Sequence, residues 1–195
     1  MKLEHPSLKV RHASTQEIKS QGQDLKITIG FTQSPIGETF IAQCQLGICK
    51  LAFTSSSKER KEALKELKKL WPNAEFLENP QGITSLAQTI FYNRNKTKKA
   101  TLNVFIKGSV FQNKVWKSLL KIPYGQLKSY GEIAQSIDAP HSSRAVGNAV
   151  GANPIAYLIP CHRVILSSGK IGHYRWGSLC KQRLIDWENS KLSNA

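Results

Sequence analysis

The pattern of apolar residues changes at Gly108, and that change limits the folds this chain can adopt. Before Gly108, short runs rich in β-branched and aromatic residues are separated by turn residues, which is typical of strands. After Gly108, apolar residues recur at intervals of three and four, which is typical of amphipathic helices. We therefore predict an α+β protein with an N-terminal α/β domain at residues 25–107 and a C-terminal, mostly helical domain at residues 108–195.

The N-terminal domain is predicted to hold a small antiparallel sheet. Turn residues at Ser34-Pro35-Ile36-Gly37 and around Gly47 separate three apolar runs, which favours a meander. The predicted elements are strands at residues 25–31, 40–44, 48–53 and 102–106 and helices at residues 57–71 and 83–92. Residues 1–24 are polar with few large apolar side chains, so we expect a flexible leader there.

The C-terminal domain shows start signals for three helices. Ser109 begins the first, and Ser129-Tyr130-Gly131-Glu132 has the serine and glutamate spacing of a capping box at the start of the second. Ser142 or Ser143 caps the third, which covers residues 144–151. The last two helices are short and joined by a tight turn, which predicts a helix-turn-helix of the winged-helix type.

The third of these helices carries small residues at Ala145, Gly147, Ala149 and Gly151. Glycine inside a helix costs about 1 kcal/mol relative to alanine, so something must compensate for two of them. One explanation is tight packing against another helix of the same chain. The other is close approach of a bound partner, and small side chains that follow Arg144 suit the narrow minor groove of DNA.

The chain of 195 residues has a formal net charge of +15, which favours polyanionic partners such as nucleic acid or anionic membrane surfaces. Residues 106–195 alone hold 12 lysines and arginines against 4 acidic residues. A general solubility bias is the alternative explanation. No apolar stretch approaches the roughly 20 residues that span a bilayer, and the N-terminus lacks the apolar core of a secretory signal. We therefore expect a cytoplasmic protein.

The four cysteines show neither a CxxC pair nor a regular spacing, so we expect free thiols. Cys44 and Cys49 are interpreted as buried structural residues, because no further cysteine or histidine nearby completes a four-ligand metal site. Cys180 is interpreted as packing. Cys161 lies in Pro160-Cys161-His162-Arg163 between two apolar runs, and a thiol beside a histidine can be appreciably ionised at neutral pH.

The sequence around Cys161 resembles that of the O6-alkylguanine-DNA alkyltransferases, also called methylated-DNA–protein-cysteine methyltransferases. The motifs that carry the resemblance are Phe111-Gln-Asn-Lys-Val115-Trp116, Ser129-Tyr130-Gly131, Arg144-Ala-Val-Gly147, Gly151-Ala-Asn153-Pro154, Ile159-Pro160-Cys161-His162-Arg163-Val164 and Tyr174-Arg175-Trp176-Gly177. The resemblance is strong over residues 106–188 and weak over residues 25–105. Within the family it is greatest to the C-terminal half of the bacterial adaptive-response proteins.

The resemblance implies a direct repair reaction on DNA. Cys161 would accept the alkyl group of O6-alkylguanine, His162 would take the thiol proton through a water, and Glu188 would orient the histidine. Tyr130 would help turn the target base outward and could protonate the departing guanine. Arg144 would fill the gap that the base leaves in the stack.

Further positions, partners and cofactors are implied on the same grounds. The positions are Gly131, Ala145, Gly147 and Ser167 for DNA contact, and Asn153, Pro160 and Tyr174 for the substrate pocket. The implied partner is double-stranded DNA that carries O6-alkylguanine, with O4-alkylthymine as a further substrate. The resemblance implies no cofactor and no metal, and a monomer that is spent after one turnover.

Two other functions stay open from the residues alone. A helix-turn-helix module could bind alkylated bases or operators without chemistry, with Cys161 only packing in the core. A thiol hydrolase could use Cys161 repeatedly, although a DNA-facing helix does not suit that class. Transfer of an alkyl label to the protein separates the first function from the second.

Overall fold

The computed structural model describes residues 6–92 and 101–193, which divide into two compact units between Lys107 and Gly108. We name Pro6–Lys107 the sheet unit and residues 108–193 the helical unit. Residues 1–5 of the predicted leader, which covers residues 1–24, and residues 194–195 at the predicted domain end lie outside the described residues.

The strands of the sheet unit form one mixed sheet. The elements in chain order are β1 (Ser7–His12), α1 (Thr15–Lys19), β2 (Lys26–Ser34), β3 (Gly37–Cys44), β4 (Gly47–Phe53), α2 (Ser57–Leu70), β5 (Glu75–Glu78), α3 (Pro80–Tyr92) and β6 (Thr101–Ile106). The strand order is β1-β6-β4-β3-β2-β5. The predicted meander is present as antiparallel β2, β3 and β4, and the parallel pairs β1–β6, β4–β6 and β2–β5 extend it on both sides.

The segment expected to be a flexible leader is ordered from residue 7 onward, which corrects that prediction. Ser7–His12 pairs in parallel with β6 as an edge strand of the sheet. Ser14 then caps α1 in a reciprocal capping box with Glu17. An edge strand needs few apolar side chains, so the polar composition of this segment concealed it. The other edge strand, β5, was not predicted for the same reason, since three of its residues are exposed.

The core of the sheet unit lies between the sheet and its two longer helices. Ser56 caps α2, because its hydroxyl accepts the hydrogen bond of the Glu59 amide. Leu67 of α2 and Ile83 of α3 are buried against the sheet unit's core. The Trp71 ring stacks on Phe105 of β6 with ring centroids 5.2 Å apart.

The helical unit follows the predicted order of helices. Its elements are α4 (Val110–Leu119), β7 (Lys128–Ser129), α5 (Tyr130–Ser136), α6 (Ser143–Gly151), a single 3-10 turn (Cys161–Arg163), β8 (Val164–Ile165) and α7 (Ser178–Ser193). Capping boxes start α4 at Ser109 and α5 at Ser129. Ser142 is the N-cap of α6 but makes no side-chain capping hydrogen bond.

Three contacts set the arrangement of the helical unit. The Trp116 indole donates a hydrogen bond of 2.8 Å to the Ala149 carbonyl and so joins α4 to α6. The hydroxyls of Ser118 and Ser136 lie 2.6 Å apart and join α4 to α5. The short strands β7 and β8 pair in parallel, which places the residues after Cys161 beside the start of α5. That α5 and α6 read DNA as a helix-turn-helix stays a prediction. None of the helices described is long and apolar enough to cross a membrane.

Candidate active site

The sulfur of Cys161 is held in the interior of the helical unit. Every residue of the apolar run 155–159 is almost fully buried, and Cys161 itself is 2% exposed. Cys161 begins a single 3-10 turn, and its amide donates to the Ile159 carbonyl at 2.7 Å. The apolar run at residues 155–159, which precedes Cys161 in the sequence, therefore forms part of the buried surroundings of the thiol.

Asn153 fixes the loop that carries the thiol. Its side-chain amide donates to the carbonyls of Ile159 (2.8 Å) and Ile155 (3.2 Å), and its oxygen accepts from the Ile155 amide at 3.0 Å. The same amide nitrogen lies 3.1 Å from Cys161 Sγ and can donate to it. Asn153 is fully buried, so these bonds do not compete with solvent.

The environment of Cys161 favours the thiol over the thiolate. Burial raises the pKa of Cys161, and hydrogen bonds from Asn153 and Tyr174 with the charge of Lys181 only partly oppose that effect. The expectation of an appreciably ionised thiol at rest is therefore wrong. Burial disfavours the charged form of any side chain, and a histidine that is adjacent in sequence does not remove that cost. The nucleophile needs a base at the moment of reaction.

Glu188 of α7 is the buried carboxylate beneath the thiol turn. Its oxygens accept hydrogen bonds from His162 Nε2 at 2.8 Å, from Arg163 Nη2 at 2.8 Å and Nε at 3.0 Å, and from the Gly125 amide at 3.1 Å. Arg163 also donates to the Ile122 carbonyl at 2.7 Å. Burial raises the pKa of Glu188, but the hydrogen bonds from His162 and Arg163 and the charge of Arg163 outweigh it and lower the pKa to about 2.

His162 is a neutral imidazole in this setting. Burial lowers its pKa, and the hydrogen bond to Glu188 does not restore it, so the contact is a hydrogen bond rather than an ion pair. Nε2 must then carry the proton that it donates to Glu188. Nδ1 is buried and has no hydrogen-bond partner within the described residues. Its lone pair is available to accept a proton.

Lys181 ties down the segment that follows the thiol. Its ammonium group donates to the carbonyls of Val164 and Ile171, each at 2.5 Å, and its side chain is fully buried. Burial lowers the pKa of Lys181 to about 8, although a charge on Cys161 would raise it. The lysine thus places a positive charge near the sulfur and closes the loop of residues 164–171.

Two tyrosines stand near the thiol. Tyr174 is buried with its oxygen 3.7 Å from Cys161 Sγ, and its ring meets Trp176 edge-on. Tyr130, the first residue of α5, is half-buried. Burial raises the pKa of Tyr130, and a charge on Cys161 would raise it further, so the phenol keeps its proton.

The small residues of α6 lie on both its exposed and its buried sides. Arg144 and Ala145 are exposed and Gly147 is half-buried on one side of the helix, whereas Val146, Ala149 and Val150 are buried. A Cβ at Gly147 would meet Tyr130 at an ordinary 3.8 Å, and one at Gly151 would meet no atom of the described residues within 4 Å. Packing within the described residues therefore does not require a glycine at either position.

The predicted site residues fall into two groups. A buried group around the sulfur contains Asn153, Pro160, Cys161, His162, Tyr174 and Glu188. A second group on or near the surface contains Tyr130, Gly131, Arg144, Ala145, Gly147 and Ser167. Of these, Ser167 is exposed in the turn that the Leu166 amide closes on the Lys170 carbonyl.

Arg163 and Lys181, which are both charged and both buried, were not among the predicted site residues. Charged side chains are almost never fully buried without partners, so neither was considered as part of the interior. Arg163 lies within the recognised tetrapeptide, and that position was the available signal. Tyr157 was also missed. It adopts a left-handed φ of 62°, and its ring stacks on that of His162 with centroids 6.2 Å apart.

Metal coordination has no support within residues 6–92 and 101–193. No cluster of three or more histidine, cysteine, aspartate or glutamate side chains that could hold an ion occurs there. Cys44 and Cys49 are buried free thiols, in agreement with their interpretation as buried residues.

Comparison with known proteins identifies close relatives. A profile of the 6-O-methylguanine DNA methyltransferase DNA-binding domain matches residues 110–190. The methylated-DNA–protein-cysteine methyltransferase of Methanosarcina barkeri is 38% identical over 161 residues, which cover 82% of this chain and 96% of that protein. The protein of the same name from Mycobacterium tuberculosis is 54% identical over 86 residues, 44% of this chain, and this match spans about half (52%) of that relative's length.

Among solved structures, the fold is similar to a crystal structure of Mycobacterium tuberculosis OGT in complex with DNA. The TM-score is 0.64 at 32% sequence identity, and the match covers 85% of this chain and 94% of that one. The similarity extends beyond residues 110–190, so the sheet unit is part of the shared architecture.

Replacing Glu188 by glutamine tests the buried carboxylate through the pH dependence of stability. The folded pKa of about 2 lies below the ordinary 4.5, so Glu188 stabilises the fold above pH 4.5 and loses that effect as the pH falls through about 2. The contribution is on the order of 3 kcal/mol. We expect urea titrations between pH 5 and 2 to show a steeper acid loss of unfolding free energy in the unchanged protein than in E188Q.

Asp186→Asn is the matched control, because Asp186 is an exposed carboxylate on the same helix. It should retain the acid dependence of the unchanged protein. At pH 7, E188Q should also be less stable by about 3–5 kcal/mol, because it leaves Arg163 buried without a counter-charge. An acid dependence in E188Q equal to that of the unchanged protein would contradict the proposed hydrogen-bond network.

Proposed function

Since the chain belongs to the family of methylated-DNA–protein-cysteine methyltransferases, we propose that it repairs DNA by irreversible transfer of an alkyl group from O6-alkylguanine to Cys161. The observation that carries the proposal is the buried arrangement of Cys161, His162 and Glu188, with Asn153 donating to the sulfur. A sulfur nucleophile, a neutral base and a carboxylate that orients the base are the parts that such a transfer needs.

Activation of the thiol follows from the protonation states. Burial keeps Cys161 as a thiol, so its proton must leave before attack. The unpartnered Nδ1 of His162 accepts that proton through one water, while Nε2 stays bonded to Glu188. The imidazolium that forms is then stabilised by the buried carboxylate. The thiolate forms only next to donors from Asn153 and Tyr174 and near the charge of Lys181.

The alkyl transfer is a displacement at carbon. The Cys161 sulfur forms a bond to the alkyl carbon, the bond from that carbon to guanine O6 breaks, and guanine leaves. Protonation helps the guanine to leave, and the Tyr130 phenol, which keeps its proton, is the proposed donor. The product is a thioether without a carbonyl for water to attack, so each chain reacts once.

The exposed face of α6 is the proposed DNA contact. The reacting carbon is inside the duplex, so the base must be turned out at a cost of a few kcal/mol. Small side chains allow α6 to approach the minor groove, and exposed Arg144 fills the space in the stack. Gly131 and Ser167 would contact the backbone on either side. The relative solved in complex with DNA supports a DNA partner.

The proposed reaction acts on alkylated bases in DNA. The substrate is double-stranded DNA with O6-alkylguanine, and O4-alkylthymine is a further substrate of the same chemistry. The protein acts as a monomer without a cofactor. A cytoplasmic location suits the four cysteines, all of which lie in the described residues and none of which forms a disulfide there.

Reaction with a duplex that carries one O6-methylguanine tests the proposal directly. The intact mass of the full chain should rise by one methylene, peptide mapping should locate it on Cys161, and no more than one methyl should transfer per chain. Cys161→Ala should gain no mass and should still bind the duplex. Cys180→Ala, which removes a cysteine outside the buried cluster, should react like the unchanged protein.

Three results would contradict the proposal. Transfer that survives in Cys161→Ala would assign the chemistry to another residue. More than one methyl per chain would indicate turnover. Binding without any transfer in the unchanged protein would favour a helix-turn-helix module that recognises DNA without chemistry.

Replacing Arg144 by alanine separates base extrusion from chemistry. The arginine acts only on DNA in this account, so R144A should transfer methyl from the duplex about tenfold more slowly or worse, which corresponds to roughly 1.4 kcal/mol or more. Its slow reaction with free O6-methylguanine base should be unchanged. Single-turnover rates with both substrates provide the measurement.

Arg183→Ala is the matched control, because it removes the same charge from an exposed position on α7. It should keep the unchanged rate with both substrates. An equal slowing of R144A on the duplex and on the free base would show that Arg144 acts on the thiol site rather than on extrusion.

A further inference from the structure

The sheet unit contains a second pair of thiols that the proposed repair reaction does not use. Cys44 ends β3 and Cys49 lies in β4 of the same hairpin, and both are free and buried, at 5% and 1% exposed. Cys44 Sγ lies 3.6 Å from the Gly47 carbonyl oxygen, and Cys49 Sγ lies 3.5 Å from the Ala42 carbonyl oxygen.

A β-bulge brings the two sulfurs together. Gln43 pairs with Ile48 whereas Ala42 pairs with Lys50, so Cys49 is the residue that the register shift leaves over. A bulge of this kind bends the strand and re-aims a side chain. The Cys49 thiol, which donates to the Ala42 carbonyl, thereby lies close enough to the Cys44 sulfur to act as a donor to its anion.

The hairpin turn also directs amide groups at Cys44. Gly47 has a φ of 134°, and a Cβ there would lie 2.6 Å from the backbone carbonyl of Asn103, so β6 holds this turn closely. Backbone amides of Leu46 and Gly47 donate toward the Cys44 sulfur. Together with the hydrogen bond from Cys49, which has the largest effect, they lower the pKa of Cys44 to about 7.

Cys44 also lines a cleft in the sheet unit. The cleft has a volume of about 530 Å³ and includes polar groups of Asp24, Lys26, Thr28 and Asn79. A small polar molecule could reach the wall formed by Cys44. Cys49 does not line the cleft and is almost fully buried.

We propose that Cys44 and Cys49 form a second reactive thiol site, at which hydrogen peroxide oxidises Cys44 and Cys49 then closes a disulfide with it. The hairpin supplies each part that this needs: a sulfur at a cleft wall, amide donors that stabilise its anion, and a second sulfur next to the first. The site lies wholly in the sheet unit and is independent of the chemistry at Cys161.

The reaction has two balanced steps. The Cys44 thiolate attacks one oxygen of peroxide, the O–O bond breaks, and the released hydroxide takes up a proton to become water, which leaves a sulfenic acid. The Cys49 sulfur then attacks the Cys44 sulfur, the S–O bond breaks, and the hydroxyl leaves as water with the Cys49 proton. Two thiols and one peroxide give one disulfide and two waters.

The other two cysteines lack this combination. Burial raises the pKa of Cys161, so its thiolate is scarce at neutral pH, and peroxide reacts with thiolates rather than thiols. Cys180 lies on α7 of the helical unit and does not line the cleft. Peroxide should therefore oxidise Cys44 before Cys161, and the alkyl-acceptor thiol should survive mild oxidation.

Peroxide treatment of the reduced full chain at pH 7, with thiol labelling and peptide mapping, tests this proposal. A limiting amount of peroxide should remove two hydrogens per chain and yield a peptide that links Cys44 to Cys49. Cys44 should be lost about threefold faster than Cys161, or more, because its larger thiolate fraction outweighs its lower intrinsic nucleophilicity.

Three variants test the roles of the two sulfurs. Cys49→Ser should stop at a sulfenic acid on Cys44 that dimedone traps, and Cys44→Ser should leave Cys49 reduced over the same time. Cys180→Ser should still form the bridge. Should either hairpin variant fail to fold, the map of the unchanged protein decides alone.

Oxidation of Cys161 or Cys180 ahead of Cys44 would overturn the proposal. So would oxidation of Cys44 in the unchanged protein without a bridge to Cys49. Neither result would bear on alkyl transfer to Cys161, which is measured separately with methylated duplex.

Discussion

The buried carboxylate of Glu188 is the interaction on which the candidate site depends. Removing a carboxylate from water costs several kcal/mol, and only a full set of donors offsets that cost. His162, Arg163 and the Gly125 amide provide that set. These groups come from the thiol turn and from the segment before β7, so one carboxylate on α7 joins three parts of the helical unit. It also decides which imidazole nitrogen carries the proton.

The same interior sets the reactivity of the thiol. Burial favours a neutral Cys161, while Asn153, Tyr174 and Lys181 all favour the anion. The balance leaves a protonated sulfur that becomes reactive once its proton passes to His162. Tyr157, in a left-handed conformation at a cost of about 1–3 kcal/mol, is held by ring contacts with His162 and Trp187. A loop under this constraint keeps the sulfur in one position.

Local signals in the sequence predicted much of the fold. The serines at 109 and 129 start helices where their capping boxes lie, and the meander of β2 to β4 follows its turn residues. The edge strands β1 and β5 have few apolar residues, and their partners are distant in sequence, so no local pattern marks them.

The ionisation states in the site were harder to predict from the sequence than the residues that form it. The resemblance named Cys161, His162 and Glu188, which the structure brings into one buried cluster with Asn153. The expectation that Cys161 is ionised was wrong, because burial is a property of the tertiary structure that adjacent residues do not reveal. Arg163 and Lys181 were missed for the same reason, since a charged side chain in a sequence suggests exposure.

The protonation of the His162 ring is the most direct test of this account. Nitrogen-15 NMR of the histidine-labelled full chain at pH 7, with His162 assigned by its loss in His162→Gln, reports the charge and tautomer of the ring. The account predicts a neutral ring with its proton on Nε2 and a bare Nδ1. A proton on Nδ1, or a charged imidazolium at that pH, would contradict it.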